Sequence, residues 1–159
     1  MDYSYLLCPF AAWLTAGILK FCINSVRAKK LAFGLIGYGG LPSNHSAIVT
    51  SMATLIALSE GIHHPAFGVA LTLAFIVILD ASSLRKQVGK QAVLVNQLAK
   101  ATNLQGRLRE RIGHTLVEIV AGVAVGALVA LVIFKLSSHH LIKVPSIQHI
   151  AQISMVCGL

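Results

Sequence analysis

Four apolar stretches, each close to the length of a bilayer crossing, dominate what this chain can fold into. A helix needs about 20 mainly apolar residues to cross the hydrocarbon layer. Residues 5–23, 46–62, 65–83 and 115–134 approach that length, and each predicts a membrane-spanning helix. The second stretch is shorter and carries Thr50, Ser51 and Thr54, which suits a position facing other helices. Pro65 fits the first position of the third helix. Gly122 and Gly126 stand in a G-x-x-x-G spacing on the fourth, where small residues let helices approach closely in lipid. The same spacing admits a homodimer through these glycines. The expected fold is an all-α integral membrane protein, a compact bundle of about four transmembrane helices with an amphipathic connecting segment. Residues 1–136 would form the membrane-embedded domain and 137–159 a peripheral or disordered tail.

Composition agrees. Apolar residues make up 56% of the chain and charged residues 11%, against roughly a quarter in an ordinary soluble domain. This excludes a disordered protein, a soluble nucleic-acid reader and a small disulfide scaffold. The net charge of +8 fits cytoplasmic loops, an anionic lipid surface or a phosphate-bearing substrate, with no nucleic acid required. Cys8 and Cys22 are fourteen residues apart on one helix, about 21 Å, too far for a disulfide. The first stretch follows Asp2 and precedes Arg27, Lys29 and Lys30, the reverse of a signal peptide, so it is expected to remain as a mature span.

Between the third and fourth spans, residues 85–112 form the longest connection. Val88, Ala92, Val95 and Leu98 recur with helical period, and Lys86, Lys90 and Lys100 lie off that stripe. Both an interfacial amphipathic helix and a solvated loop helix fit this pattern. Lysine and arginine counts orient the bundle. With Arg27 and Arg85 set aside, the first and third loops hold eight cations and the other side two, Lys135 and Lys143. The first and third loops should be cytoplasmic and both termini outside, in a bacterial inner membrane or its equivalent.

The polar residues at the cytoplasmic span ends come from four separate places. Lys20 and Arg27 close the first span, and Pro42, Ser43, Asn44, His45 and Ser46 open the second. Asp80 and Arg85 close the third, and His114 and Glu118 open the fourth. Ionisable groups at such depths are costly and mark candidate sites. Three cations suit an anionic ligand. A helix start at Ser46 offers free N–H groups to phosphate oxygens, although Ser43 and Ser46 equally suit plain capping. His114 and Glu118 are one helical turn apart, so the carboxylate can fix the imidazole tautomer and leave the other nitrogen as nucleophile or base. Two histidines at separate helix starts can share attack and proton donation. Lys20 alone also reads as a snorkelling anchor, and Arg107, Arg109 and Arg111 as orientation signals. His63–His64 and His139–His140 fall on the opposite side. No H-x-x-x-H or C-x-x-C spacing supports a metal site, and the five carboxylates are dispersed.

In this order, Lys20-x6-Arg27, Pro42-Ser43-Asn44-His45, Arg85 and His114-x3-Glu118 resemble the three-part signature of the phosphatidic acid phosphatase type 2 superfamily. That signature reads K-x6-R-P, P-S-G-H and S-R-x5-H-x3-D. The stretches GGLPSNHSA, DASSLRKQVGKQA and GHTLVEIVAG look like its divergent branch. The resemblance covers roughly residues 15 to 134 and implies a function without cofactor or metal. Lys20, Arg27 and Arg85, with Ser43, would bind phosphate oxygens, and His114 would attack phosphorus to form a phosphohistidine. His45 would protonate the leaving oxygen and later activate water, and Glu118 would orient His114 where the family usually has Asp.

Ala28 replaces the first motif's Pro and Asn44 the second motif's Gly. The third motif is split, with 28 residues between Arg85 and His114 instead of five. Arg109, closer to His114 in sequence, is the rival to Arg85. Asp80 either steadies Arg85 or caps the polar end of its span. The expected function is hydrolysis of a phosphate or diphosphate on a membrane lipid. The competing expectation is a non-catalytic membrane protein that binds phospholipid or anchors a partner through its basic loop.

Overall fold

Apolar helix-forming sequence, punctuated by Gly, Pro and polar caps, sets each element of the computed structural model, which describes residues 3–29, 31, 40–102, 104, 106–110 and 112–141. Helix α1 (Ser4–Ala28) runs past the expected end at 23 and stops at Lys29, whose left-handed φ of 51° closes it. Helix α2 (Asn44–Ser59) starts at Ser43, whose side chain caps it, and α3 (Pro65–Leu79) starts beyond His64, whose Nδ1 accepts from Ala66 N–H at 3.2 Å. A five-residue π-helical turn (Asp80–Leu84) joins α3 to α4 (Arg85–Ala101). The last helix, α5 (Leu116–Leu141), extends five residues beyond the expected domain boundary at 136. The rest of the expected tail, 142–159, lies outside the described residues, as does Cys157.

Among the described residues, three helices are long and apolar enough to cross a membrane: α1, the continuous α3–α4 helix and α5; the second expected span, α2, is a shorter fourth helix of the bundle. The α3–α4 helix has 37 residues, about 55 Å, well over the roughly 30 Å hydrocarbon layer. Helix α2, with 16 residues, reaches only about 24 Å. It is the central helix of the bundle and packs against α1, α3 and α5. The expectation that its Thr and Ser face other helices holds for Ser51, which is buried and donates to the Ile48 carbonyl at 2.8 Å.

Lipid offers no hydrophobic incentive for apolar helices to associate, so close van der Waals packing of small residues takes that part. Cys8, Ala12 and Ala16 form the fully buried stripe of α1, and Ala70 and Ala74 are the buried positions of α3. On α5, a Cβ at Gly122 would collide with the Ser43 carbonyl oxygen, and one at Gly126 with the Ala47 carbonyl oxygen. The G-x-x-x-G face considered above for a homodimer is thus filled by the chain's own α2. At the far end, Tyr5 donates to Glu60 at 2.7 Å and Ser4 to Ser137 at 3.0 Å, tying α1 to α2 and α5.

Helix α4 takes up Arg85–Ala101 of the connection, and residues 106–110 form a return segment that packs back on it. Asn96 Nδ2 donates to the Leu108 carbonyl at 2.9 Å, and its Oδ1 accepts from Leu108 N–H at 2.8 Å. A Cβ at Gly89 would stand 2.6 Å from the Glu110 carbonyl oxygen. The packed face of α4 is therefore Gly89, Ala92 and Asn96. Of the predicted apolar stripe, only Ala92 is covered, while Val88, Val95 and Leu98 are exposed.

Candidate active site

Antiparallel packing brings the end of α1, the start of α2, the π turn and the start of α5 to one end of the bundle. The same inward stripe of α1 that carries Ala12 and Ala16 continues, four residues on, to Lys20, which is half-buried. Gly17 sits beside it, and a Cβ there would lie 3.9 Å from Asn44 Nδ2. Gly40 lies over Lys20 and Asn24, where a Cβ would be 3.9 Å from Lys20 Cγ.

The start of α2 is held by the start of α5. Ser43 N–H donates to the Glu118 carbonyl at 2.8 Å, and Gly122, one turn on, admits the Ser43 backbone. Ser43 and Ser46 are fully buried. Ser43 Oγ accepts from Ser46 Oγ at 3.1 Å and from Ser46 N–H at 3.4 Å. Capping is thus a role Ser43 fills.

His114 is 7% exposed. Gly113, with φ of 99°, turns the chain beneath it, and a side chain there would press on Lys86 at 3.1 Å. His114 N–H donates to the Ala81 carbonyl of the π turn at 2.9 Å. Its Nδ1 lies 3.0 Å from Glu118 Oε2. The same oxygen accepts from Thr115 N–H at 3.0 Å, while Thr115 Oγ1 accepts from Glu118 N–H at 3.3 Å. These two bonds form a capping box, so the start of α5 fixes the carboxylate before it meets the histidine. A proton on Nδ1 leaves the Nε2 lone pair available.

His45 faces this pair, with ring centroids 5.6 Å apart and planes inclined by 58°. Arg85, His114, Lys20 and Asp80 all act electrostatically on His45, and Lys20 lies within electrostatic reach of Glu118. Asp80 Oδ2 accepts from Arg85 Nε at 3.0 Å. Both acidic side chains of the cluster are therefore engaged, Asp80 by Arg85 and Glu118 by His114. Among the described residues, no three His, Cys, Asp or Glu side chains converge as metal ligands would.

The structure thus gathers Lys20, Ser43, His45, Asp80, Arg85, His114 and Glu118. Arg85, despite the 28 residues that separate it from His114, reaches the cluster through the Ala81–His114 bond. Arg109 is exposed on the return segment, and Arg27 is exposed in the last turn of α1. Asn44 lies at the α1–α2 contact. Its Oδ1 and the Nδ1 of His45 are buried and have no hydrogen-bond partner among the described residues. Orphaned polar atoms of this kind are uncommon, and a catalytic role is one of the reasons a fold keeps them. Sequence reasoning missed Thr115, Gly113 and the π turn. The T-x-x-E spacing of Thr115 and Glu118 was a readable signal, whereas the π turn has no local signature.

The chain matches the model of a family described as the Divergent PAP2 family over residues 1–129. It is also similar to the uncharacterized membrane protein YuiD of Bacillus subtilis (strain 168). The two are 32% identical over 145 residues, covering 80% of this chain and 92% of the relative. No solved structure matches the chain. The apolar helices and the membrane relative agree on an integral membrane protein, and by the extent of the family match this chain belongs to the Divergent PAP2 family.

Proposed function

We propose that this protein is a membrane phosphatase that hydrolyses a lipid phosphate or diphosphate through a phosphohistidine, without metal or cofactor. The observation that carries this reading is the buried His114–Glu118 pair facing His45 within a cluster that holds Lys20 and Arg85. Nε2 of His114 attacks phosphorus, and the P–O bond to the lipid alcohol breaks. His45 supplies the proton that the departing oxygen needs. His45 then takes a proton from water, whose oxygen attacks the phosphohistidine, releasing phosphate and restoring His114. Glu118 holds the Nδ1 proton and stabilises the imidazolium character that develops on attack. Lys20 and Arg85 bind the non-bridging oxygens, Arg27 contributes from the rim, and Ser43 helps where its hydroxyl is not spent on Ser46.

Position along the bundle favours a lipid substrate. The cluster lies in the last third of α1, at the π turn between α3 and α4 and at the start of α5, so a headgroup can occupy it while the tail stays against the apolar helix surfaces. The loop cations support a cytoplasmic location for this end, with both termini outside. That sidedness points to intermediates of phospholipid synthesis, such as phosphatidylglycerophosphate or phosphatidic acid.

The test is phosphate release from a panel of phosphatidic acid, phosphatidylglycerophosphate and polyprenyl diphosphate by wild type and His114→Ala. Release by wild type that falls at least about 10³-fold in His114→Ala supports the reading. Equal release by both proteins removes His114 from the nucleophile's role. The exposed Lys86, Lys90 and Lys100 on α4 favour a second reading, a phospholipid-binding or partner-anchoring protein. Such a protein would keep its lipid affinity in His45→Ala and show no turnover in either form.

A further inference from the structure

Asp80 and Arg85 are five residues apart, a spacing that in an α-helix puts side chains about 140° apart around the axis. They meet here because the helix between them is not α. Arg85 N–H reaches back five residues to the Asp80 carbonyl, so one turn of π-helix stacks the two residues on one face. Their side chains then pair, with Nε to Oδ2 at 3.0 Å, half-open to the site at 41% and 35% exposure. The same register change releases a backbone acceptor. The Arg85 N–H that an α-helix would give to Ala81 goes to Asp80 instead. The Ala81 carbonyl takes the N–H of His114, at 2.9 Å. Single π turns inside α-helices are frequent at functional sites.

We propose that Asp80 is the positioning residue for Arg85, and that the π turn sets the phosphate-binding cation and the histidine nucleophile in one frame. The inference rests on the phosphatase reading above. Asp80 occupies Nε and so aims the guanidinium, leaving its two terminal nitrogens to fork around a phosphate. The Ala81 carbonyl holds the backbone of His114 against the same turn. In space, this restores the neighbourhood of arginine and histidine that the 28-residue separation breaks in sequence. Asp80 touches no substrate in this account and acts only through Arg85.

Charge provides a test whose sign separates the possibilities. Asp80 is an anion beside an anion site, so removing it should tighten phosphate binding if its charge is all that matters. Positioning predicts the opposite. Binding of orthovanadate would be measured by titration calorimetry on the purified full chain for wild type, Asp80→Ala, Asp80→Asn, Arg85→Ala and Asp80→Ala/Arg85→Ala. Asp80→Asn keeps an oxygen for Nε and should bind within about 3-fold of wild type or more tightly. Asp80→Ala should bind about 10-fold more weakly, and Arg85→Ala about 10- to 100-fold more weakly. The double variant should bind no more weakly than Arg85→Ala, because without Arg85 there is no guanidinium for Asp80 to aim and only its repulsion of the anion is removed. Tighter or unchanged binding in Asp80→Ala, or losses that multiply in the double variant, would overturn the proposal while the phosphatase reading stands. Absence of vanadate binding in wild type would bring down that reading and this one together.

Discussion

One carboxylate oxygen of Glu118 lies 3.0 Å from Nδ1 of His114 and also accepts the Thr115 N–H that opens α5. Orientation of the histidine and capping of the helix are thus two uses of one atom, and substitutions can separate them. Glutamine at this position still closes a capping box, whereas alanine does not. Glu118→Gln should keep thermal stability near wild type and lose phosphate release by about 10²- to 10⁴-fold. Glu118→Ala should lose similar activity and in addition about 0.5–2 kcal/mol of stability. Thermal unfolding in detergent beside a phosphate-release assay checks both. Full activity in Glu118→Gln would mean that its charge does not act on His114.

The close approach of α5 to α2 makes a second prediction. A methyl group at Gly126 has no room beside the Ala47 carbonyl, nor one at Gly122 beside that of Ser43. Gly126→Ala should cost about 1–3 kcal/mol through forced separation of the helices, and Gly122→Ala a similar amount. Gly122→Ala should cut activity more severely, because Ser43 and His45 move with the start of α2. Gly68 has open space around it, and Gly68→Ala is the control expected to leave stability near wild type. Thermal unfolding of the three variants gives the ranking. Equal stability for all three would contradict the packing.

Sidedness is a third prediction, drawn from the Lys and Arg distribution. In a variant lacking Cys8, Cys22 and Cys157, a cysteine placed at Ser83 should resist a membrane-impermeant maleimide applied to sealed cells. A cysteine at Ser138 should react. Labelling at position 83 and not at 138 would turn the protein over and move its substrate to the outer face.

A fourth prediction concerns the two cations whose placement differs most from sequence spacing. Arg85 acts on His45, whereas Arg109 is exposed on the return segment. Arg85→Ala should raise KM for a lipid phosphate by about 10-fold or more, and Arg109→Ala by less than about 2-fold. Steady-state kinetics on phosphatidic acid gives the comparison, and a larger effect at Arg109 would reassign the third-motif arginine.

The sequence made the membrane class and the composition of the cluster readable, because apolar length and a four-residue His–Glu spacing are local properties. It was less informative wherever partners far along the chain decide. The second apolar stretch has nearly the composition of a span, yet α2 is only 16 residues long and is enclosed by its neighbours. The glycine pair on α5 looks the same whether it packs within one chain or between two. The stripe of Val88, Val95 and Leu98 has helical period, but the face of α4 that packs is set by Gly89 and Asn96 meeting the return segment. The π turn is the clearest case. Asp80-Ala-Ser-Ser-Leu84 is ordinary helix-compatible sequence, and the acceptor that its extra residue frees is satisfied by His114, 33 positions on from Ala81.

The central claim is that His114 carries the phosphoryl group. Incubation with radiophosphate-labelled lipid phosphate, followed by a rapid alkaline quench and peptide mapping, reads that bond directly, since phosphohistidine survives base and is lost in acid. Wild type should show an acid-labile label on the peptide containing His114, more of it in His45→Ala, where water is activated slowly, and none in His114→Ala. Phosphate release without any label on His114, or release that persists in His114→Ala, would contradict the account.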